Sequence, residues 1–464
     1  MSNFHSTVSR RDFMKGLGLA GAGVGMASLV SPAFHDLDEL VSAPESGWKR
    51  PWWVKSIDEP TVEIDWSQVK SYDARNKPKT AREVWAANKK EKIAQGMVDW
   101  IRAKTNPDWK YDGWIERGGY PGSTRELALE GATGFGSFYT NPTPSKFLGW
   151  GKDSKTLTPA QLGVPKWQGT PEENLQMMRV VTRLFGGVDV GVVPLDENCK
   201  KLFHSNVASF EDVDDPYETT TKKVIPISAA SQYKSVLVWT NQQARDITNH
   251  TPNALGAASM GLAYANYFAT RGRIQEFLRG LGYEGLDVGG FSFSNPFGVL
   301  SGHGENTRTS TIMTSPEHGN TLRAVDRIVT NLPLAPTGPI DGGIRRFCYT
   351  CKKCAELCPF SSLSMDTEPS WERPSDQYPG GFKAWVWDAS SCPWCNACMT
   401  TCVFSKQNLS GIHDIVKGIV GTTSIFDGFF RDMDVAFGYT LKDPESWWEQ
   451  DYQQQPVYGI DRAV

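Results

Sequence analysis

Apolar positions along this 464-residue chain recur with two different periods. A period near 3.6 marks amphipathic helices over residues 80–104, 172–185 and about 255–280, the last followed by Gly282 as a stop. Short unbroken apolar runs at residues 188–194 and 235–240 (SVLVWT) have the length and β-branched content of buried strands. Strands alternating with helical stretches predict a layered sheet with helices packed against it, an α/β (α+β) fold. A last helix is predicted over residues 413–420.

The pattern breaks in several places, and the breaks divide the chain. Residues 1–33 carry SRRDFMK, then an uncharged Gly-rich apolar run, then Ser31-Pro32-Ala33 as a small-x-small cleavage site. These are the parts of a twin-arginine export signal. A retained helix fits poorly, because glycines recur through residues 16–25 and each costs about 1 kcal/mol in a helix interior. The run is also short for a bilayer span, so it reads as a removed leader and places the mature chain on the outer face of the cytoplasmic membrane or in the periplasm. Residues 34–150, rich in Trp, Pro and Gly, read as a wrapping segment, and residues 151–340 carry the α/β pattern. Residues 341–410 shift abruptly to Cys, Trp, Pro and Met, and residues 411–464 form an acidic, Gln-rich tail.

Composition and charge narrow the classes. With 39% hydrophobic and 22% charged residues and a formal net charge of -4, the chain has the make-up of an ordinary globular protein. Removal of the leader takes Arg10, Arg11 and Lys15 against Asp12, which leaves -6. The positive clusters are short and mixed with acids, so no stripe tracks phosphates and nucleic acid is not an expected partner. Seventeen Trp, with Trp48, Trp52 and Trp53 close together, suggest aromatic-lined interior space, although each taken singly is a large core residue.

Eight of the nine cysteines fall in two runs of identical form. The first is Cys348-x2-Cys351-x2-Cys354-x3-Cys358-Pro359 and the second Cys392-x2-Cys395-x2-Cys398-x3-Cys402. Disulfides at three-residue spacing would join residues of one turn and could hardly use all eight thiols. Zinc accepts a Cys-x2-Cys pair, but the third and fourth cysteines at these spacings follow the bacterial ferredoxin pattern instead. In that pattern the fourth cysteine of each run ligates the other cluster. The expectation is crossed ligation, with Cys348, Cys351, Cys354 and Cys402 on one [4Fe-4S] cluster and Cys392, Cys395, Cys398 and Cys358 on the other. Cys199 is left over as a small buried hydrophobe. Clusters and an export signal are compatible, since the twin-arginine route carries folded proteins.

Two such clusters move single electrons and need something upstream to reduce. No G-x-G-x-x-G follows a strand, no G-x-x-x-x-G-K-[ST] loop occurs, and none of the seven His is in H-E-x-x-H spacing. The leader, LRGLGY (278–283), GENTR (304–308), TSPEHG (314–319), VTNLPLAP (329–336) and both cysteine runs together resemble the catalytic subunit of anaerobic reductive dehalogenases. The resemblance covers the leader and most of residues 256–406. It implies a nitroreductase-like corrinoid-binding core with a ferredoxin-like two-[4Fe-4S] domain. It also implies electrons passed singly to a base-off corrinoid cobalt and loss of halogen from a small, chlorinated organohalide, either replaced by hydrogen with protonation of carbon or eliminated as vicinal halogens, as the last step of organohalide respiration. The partners it implies are a small membrane anchor protein and an electron donor from the respiratory chain; a homodimer stays open.

The same resemblance assigns the proton to Tyr264 in GLAYANYF, with Tyr267 as its neighbour and rival, and makes Arg308 of GENTR the basic partner. A guanidinium close to a phenol favours the phenolate. Read without the family, Tyr264 is a core tyrosine and Arg308 a surface ion pair. The chain departs from some members in carrying Gly289-Gly290 where they have an asparagine pair, so Asn295 is the substitute expected at the cofactor. Trp387 is expected either in the pocket wall or packed against a cluster. Two rivals remain at this stage: an epoxyqueuosine-reductase-like corrinoid enzyme, against which the leader and the lack of a basic surface argue, and a non-catalytic electron-transfer subunit, which would hold no corrinoid.

Overall fold

Four strands, β1 (Gly187–Pro194), β2 (Ser235–Gln242), β3 (Gly285–Asp287) and β4 (Leu322–Thr330), form an antiparallel sheet in the order β1-β2-β4-β3. They come from a computed structural model that describes residues 50–76, 90–111, 120–133, 146–372, 380–405, 411–436, 441–451 and 457–460. The leader lies outside those residues, as does the first part of the helix expected from residue 80. Strand β2 is buried along its whole length because it is paired on both edges and covered on both faces. Its side chains alternate as a pleat requires. Val236 and Val238 enter one core, Leu237 and Trp239 the other.

The helices in chain order are α1 (Lys90–Lys104), α2 (Thr124–Thr133), α3 (Pro171–Leu184), α4 (Ala254–Leu281), α5 (Ser294–Leu300), α6 (Ile344–Cys351), α7 (Gly411–Thr422) and α8 (Asp427–Ala436), with single turns between them. Helix α3 starts at a capping box, Thr170 with Glu173, and has Pro171 in its first turn. Its Leu175 and Met178 pack with Ile274 and Leu278 of α4 on Val190, Val192, Leu237, Trp239 and Ile328. Each such side chain contributes about 2 kcal/mol on burial. The opposite face of the sheet carries Phe297 and Val299 of α5, with Phe203, Phe291 and Met313. It also carries Ile225, which lies in a small sheet where Ala208–Glu211 runs parallel to Lys223–Pro226. Helices and sheet therefore form layers, and the antiparallel order makes the fold α+β. The described residues from Trp52 onward belong to one compact unit.

Helix α4 is the axis of that unit. Asn253 caps it, its Oδ1 accepting from the amides of Leu255 and Gly256, and Gly282 ends it at φ 87°. Twenty-eight residues at about 1.5 Å each span about 42 Å, so one helix passes both the sheet and the cysteine segment. The helix expected over residues 413–420 is present as α7, one turn longer.

Where α4 crosses the sheet, a group of charges is buried. Arg271 donates to Asp326 from Nε (2.9 Å) and Nη2 (2.7 Å), to Asp287 from Nη1 (2.7 Å), and to the Tyr267 hydroxyl. Arg327 next to it donates to Ser292 Oγ and to the carbonyl of Gly289, both at 2.7 Å. Desolvation drives the Asp326 carboxyl up to about 6 against the pull of Arg271. The network pins residues 289–294 to the sheet, and this is why a glycine stands at 289: a Cβ there would meet Arg271 Nη2 at 2.1 Å. Breaking one partner of a buried pair costs about 3–5 kcal/mol. Gly289→Ala should therefore lower the unfolding free energy by about 3 kcal/mol in anaerobic urea melts. Gly290→Ala, where a Cβ meets nothing within 4 Å, should change it by less than about 1 kcal/mol.

Candidate cofactor and active site

The two cysteine runs fold alike at the step that follows their second cysteine. Lys352 (φ 49°) and Asn396 (φ 65°) both sit in the left-handed region, where a non-glycine residue is uncommon. The turn they make lets the amides of Lys353 and Ala397 hydrogen-bond to the sulfurs of Cys351 and Cys395. Strain kept at the same position in both runs marks a functional constraint on the backbone. Burial pushes the Cys348 thiol up to about 12 and the Cys392 thiol up to about 11, and drives Cys351, Cys354, Cys395 and Cys398 above the ordinary thiol range. Thiols so placed stay protonated unless a cation holds them as thiolates.

Their neighbours show how they group. Cys402 is among the charges acting on Cys348, Cys351 and Cys354, while Cys358 acts on Cys392, Cys395 and Cys398. Each run thus sends its fourth cysteine to the other run's first three. Among the described residues no three His, Cys, Asp or Glu converge as tightly as a single metal ion needs, with bonds of about 2.3 Å to sulfur. The donor set, four thiols in each of two groups, fits a pair of [4Fe-4S] clusters. Ala355, Leu363 and Trp387 form a small apolar cluster against Cys354, Cys392 and Cys398 and fill the space where the two groups meet. The Trp387 ring meets Trp394 edge-on at 5.1 Å. Cys199 lies 2% exposed in the core.

The GENTR element grips the first run. Glu305, 1% exposed, accepts from the amides of Ile344 (2.7 Å) and Arg345 (3.3 Å) and so caps helix α6, which carries Cys348 and Cys351. Arg345 returns a guanidinium to the carbonyl and side chain of Asn306, both at 3.1 Å. Arg308 donates Nη1 to the carbonyls of Ser364 (2.8 Å) and Asp366 (2.7 Å) and Nη2 to that of Cys348 (2.8 Å), over the face of Trp385. None of these partners is Tyr264. The expected pairing of Arg308 with Tyr264 is therefore corrected: the guanidinium is committed to carbonyls of the cluster segment.

Arg323 takes the place by Tyr264. Its guanidinium carbon lies 5.7 Å from the Tyr264 ring centroid, and Nη2 donates to Asn396 Oδ1 (2.7 Å) between Cys395 and Cys398. Nε donates to Gln243 Oε1 (2.9 Å). An extra residue in β4 between Arg323 and Val325 bends the strand where both enter the wall of a cavity of about 290 Å³. Tyr264 and Cys358, Cys392, Cys395 and Cys398 line the same cavity. Asn295 and Trp387 line it too, so the three residues Tyr264, Asn295 and Trp387 are brought together, whereas Arg308 and Tyr267 are not among its walls. Tyr267 is 7% exposed, holds Arg271, and has its phenol pushed up by burial. Asn295 Nδ2 donates to the Ser310 carbonyl (3.2 Å), while its buried Oδ1 has no partner. An unpartnered amide oxygen beside Ser294, Thr311 and aromatic walls fits an amide-bearing macrocycle such as a corrinoid.

A layered core whose cavity is lined by one of two sets of four thiols has the make-up of an iron–sulfur oxidoreductase. A reductive dehalogenase subunit model matches residues 49–211. The chloroethene reductive dehalogenase of Dehalococcoides mccartyi strain VS is 31% identical over 99% of each chain, and the trichloroethene enzyme of strain 195 is 33% identical over 98% of each. The tetrachloroethene reductive dehalogenase of Sulfurospirillum multivorans is 28% identical over 66% of each. Among solved structures, a reductive dehalogenase described as B12-dependent aligns with a TM-score of 0.55 at 17% identity. A catabolic one in complex with 3-bromo-4-hydroxybenzoic acid aligns with a TM-score of 0.53 at 17% identity. This chain covers 52% and 48% of those two, about half their length, and 88% and 83% of it is matched. The chain belongs to the reductive dehalogenase family and is an enzyme that acts on carbon–halogen bonds.

Glu305 gives the site a pH signature. Burial, with Asp341 adding to it, raises its carboxyl from 4.5 to about 7. A carboxyl raised on folding keeps its proton in the folded state after the unfolded chain has lost it, so stability falls as pH rises from about 4.5 to about 7. Glu305→Gln keeps an acceptor for Ile344 and should remove that part of the fall, up to about 3 kcal/mol, when melting is compared with wild type across the window. Glu305→Ala, which lacks the cap, should lose about 1–2 kcal/mol at every pH.

Proposed function

We propose that the chain reductively removes halogen from a neutral chlorinated hydrocarbon, with two electrons delivered singly through two [4Fe-4S] clusters to a corrinoid. The observation that carries this reading is that Tyr264, Arg323 and the Cys358–Cys392–Cys395–Cys398 group line one cavity. In overall balance R–Cl, two electrons and one proton give R–H and chloride. A bound corrinoid would supply the low-valent cobalt that takes up the electrons and breaks the carbon–halogen bond.

The chain's own residues do the rest. Tyr264 faces the cavity with a phenol that can give a proton to carbon. Arg323 over its ring steadies the ring and the negative charge that proton loss leaves on oxygen. Asn295 Oδ1 accepts from a cofactor amide. Phe293, Ile312, Leu363, Trp387 and Trp394 give the cavity apolar walls that exclude water and suit an uncharged substrate. The group containing Cys358 lies at the cavity and the group containing Cys348 behind it, with Cys354 and Cys398 neighbours between them. That order makes the first cluster the entry and the second the delivery point. The printed activities of the relatives, chloroethene and trichloroethene dehalogenation, support a small chlorinated hydrocarbon as substrate. The leader supports export to the outer face of the membrane. No described helix is long and apolar enough to cross a membrane, and we assign attachment to a separate small anchor protein.

Anaerobically purified protein should contain about eight iron and one cobalt per chain, as two [4Fe-4S] clusters and one corrinoid require; iron without cobalt would sink the reading. Tyr264→Phe should cut chloride release by about 100-fold or more with iron and cobalt retained, and Tyr267→Phe should cut it far less. Arg308→Gln should lose iron, since it releases the Cys348 carbonyl, whereas Arg323→Gln should lower turnover with iron content kept.

A further inference from the structure

The two cysteine runs share spacing and backbone turn, but they differ at one buried position. Lys353 in the first run and Ala397 in the second each follow the left-handed residue and each donate an amide to a ligand sulfur. Both are 1% exposed. The first run therefore buries a full positive charge one residue from Cys354, where the second buries a methyl group. The charge is met by Asp434 of α8, whose carboxylate holds Lys353 Nζ and whose side chain is 8% exposed. One turn earlier on the same helix, Arg431 reaches the Cys351 carbonyl (3.4 Å) and pairs with Glu356 (2.6 Å). One face of α8 is thus laid along the first cysteine loop.

Nothing in the reaction requires an ammonium there, and a buried ion pair adds little net stability compared with an apolar pair of the same volume. What it does provide is a fixed field. The reduction potential of an iron–sulfur cluster responds to nearby charge, to hydrogen bonds on its sulfurs and to solvent, and here the amide bond to the second cysteine's sulfur is the same in both runs. Charges a few ångströms away in a dry interior act on an added electron far more strongly than in water.

We propose that the Lys353–Asp434 pair sets the reduction potential of the first cluster apart from that of the second. The proposal rests on the two-cluster reading given above. Each cluster takes up one electron from a low-potential one-electron reductant, and the pair changes the free energy of that uptake without exchanging electrons or protons itself. Removing the negative partner takes a carboxylate away from the first cysteine loop and favours reduction; removing the positive partner takes an ammonium away and opposes it.

The test is an anaerobic titration with Ti(III) citrate followed by electron paramagnetic resonance, which reads the two cluster waves separately. Asp434→Asn should raise the first cluster's potential and Lys353→Met should lower it. Each shift should be at least tenfold in the reduction equilibrium, about 59 mV for one electron. Lys353→Arg should stay near wild type, the double variant Lys353→Met/Asp434→Asn should return close to it, and the second cluster's wave should not move. Asp432→Asn, at a side chain 69% exposed, serves as the control and should shift neither wave. Unmoved waves in both single variants with eight iron retained would overturn the proposal, as would shifts of the same sign. If neither single variant keeps its iron, the pair is a structural staple and the proposal falls. Wild-type protein lacking two cluster signals would instead overturn the cluster reading itself.

Discussion

The site depends on a grip between two parts of the chain: Glu305 and Arg308 holding the backbone of the first cysteine run. The cysteine segment buries Ile344, Phe347, Leu363 and Trp387, but apolar packing is non-directional. The orientation of its backbone comes from polar contacts with something already rigid. Glu305 supplies the missing acceptor for the first amides of α6, and Arg308 collects three carbonyls, including that of Cys348. Arg345 closes the loop by reaching back to Asn306. With these in place the cluster segment, the bulged end of β4 and the middle of α4 meet around one cavity.

Much of this was legible in the sequence, for physical reasons that differ from element to element. Helix α4 showed itself by period and by Gly282, and β2 by an apolar run that only a two-faced burial explains. The cysteine groups were readable because cubane ligation dictates spacing, and the structure brings Cys358 and Cys402 to the groups that spacing implied. Roles that depend on contacts across the chain were less readable. Arg308 sits in a recognisable motif, and the motif identified an important residue without showing what it touches. Arg323 carried no motif at all; its only signal was one of three charges, with Asp326 and Arg327, in the strand LRAVDRIVT, which marks inward polar contacts but not their targets. The cap at α6 was invisible because its acceptor lies 39 residues away.

The absence of an asparagine pair at Gly289-Gly290 also has a physical account. Position 289 is filled from the other side by Arg271, which the sheet needs to neutralise Asp326 and Asp287. The chain holds its loop with a guanidinium network under the backbone and leaves the cavity amide to Asn295, in the first turn of the next helix. The same space can be stabilised from below or furnished from within, and this chain does the former.

Crossing of the two cysteine groups carries a consequence for how the protein matures. Each group of four borrows a thiol from the other run, so neither can be completed while only one run has emerged or folded. Assembly becomes all-or-none: with only the first run in place, its four thiols make one incomplete triplet and a single outlying sulfur. Such interlocking acts as a checkpoint on folding, since a chain that has gathered one set of four thiols must have gathered both.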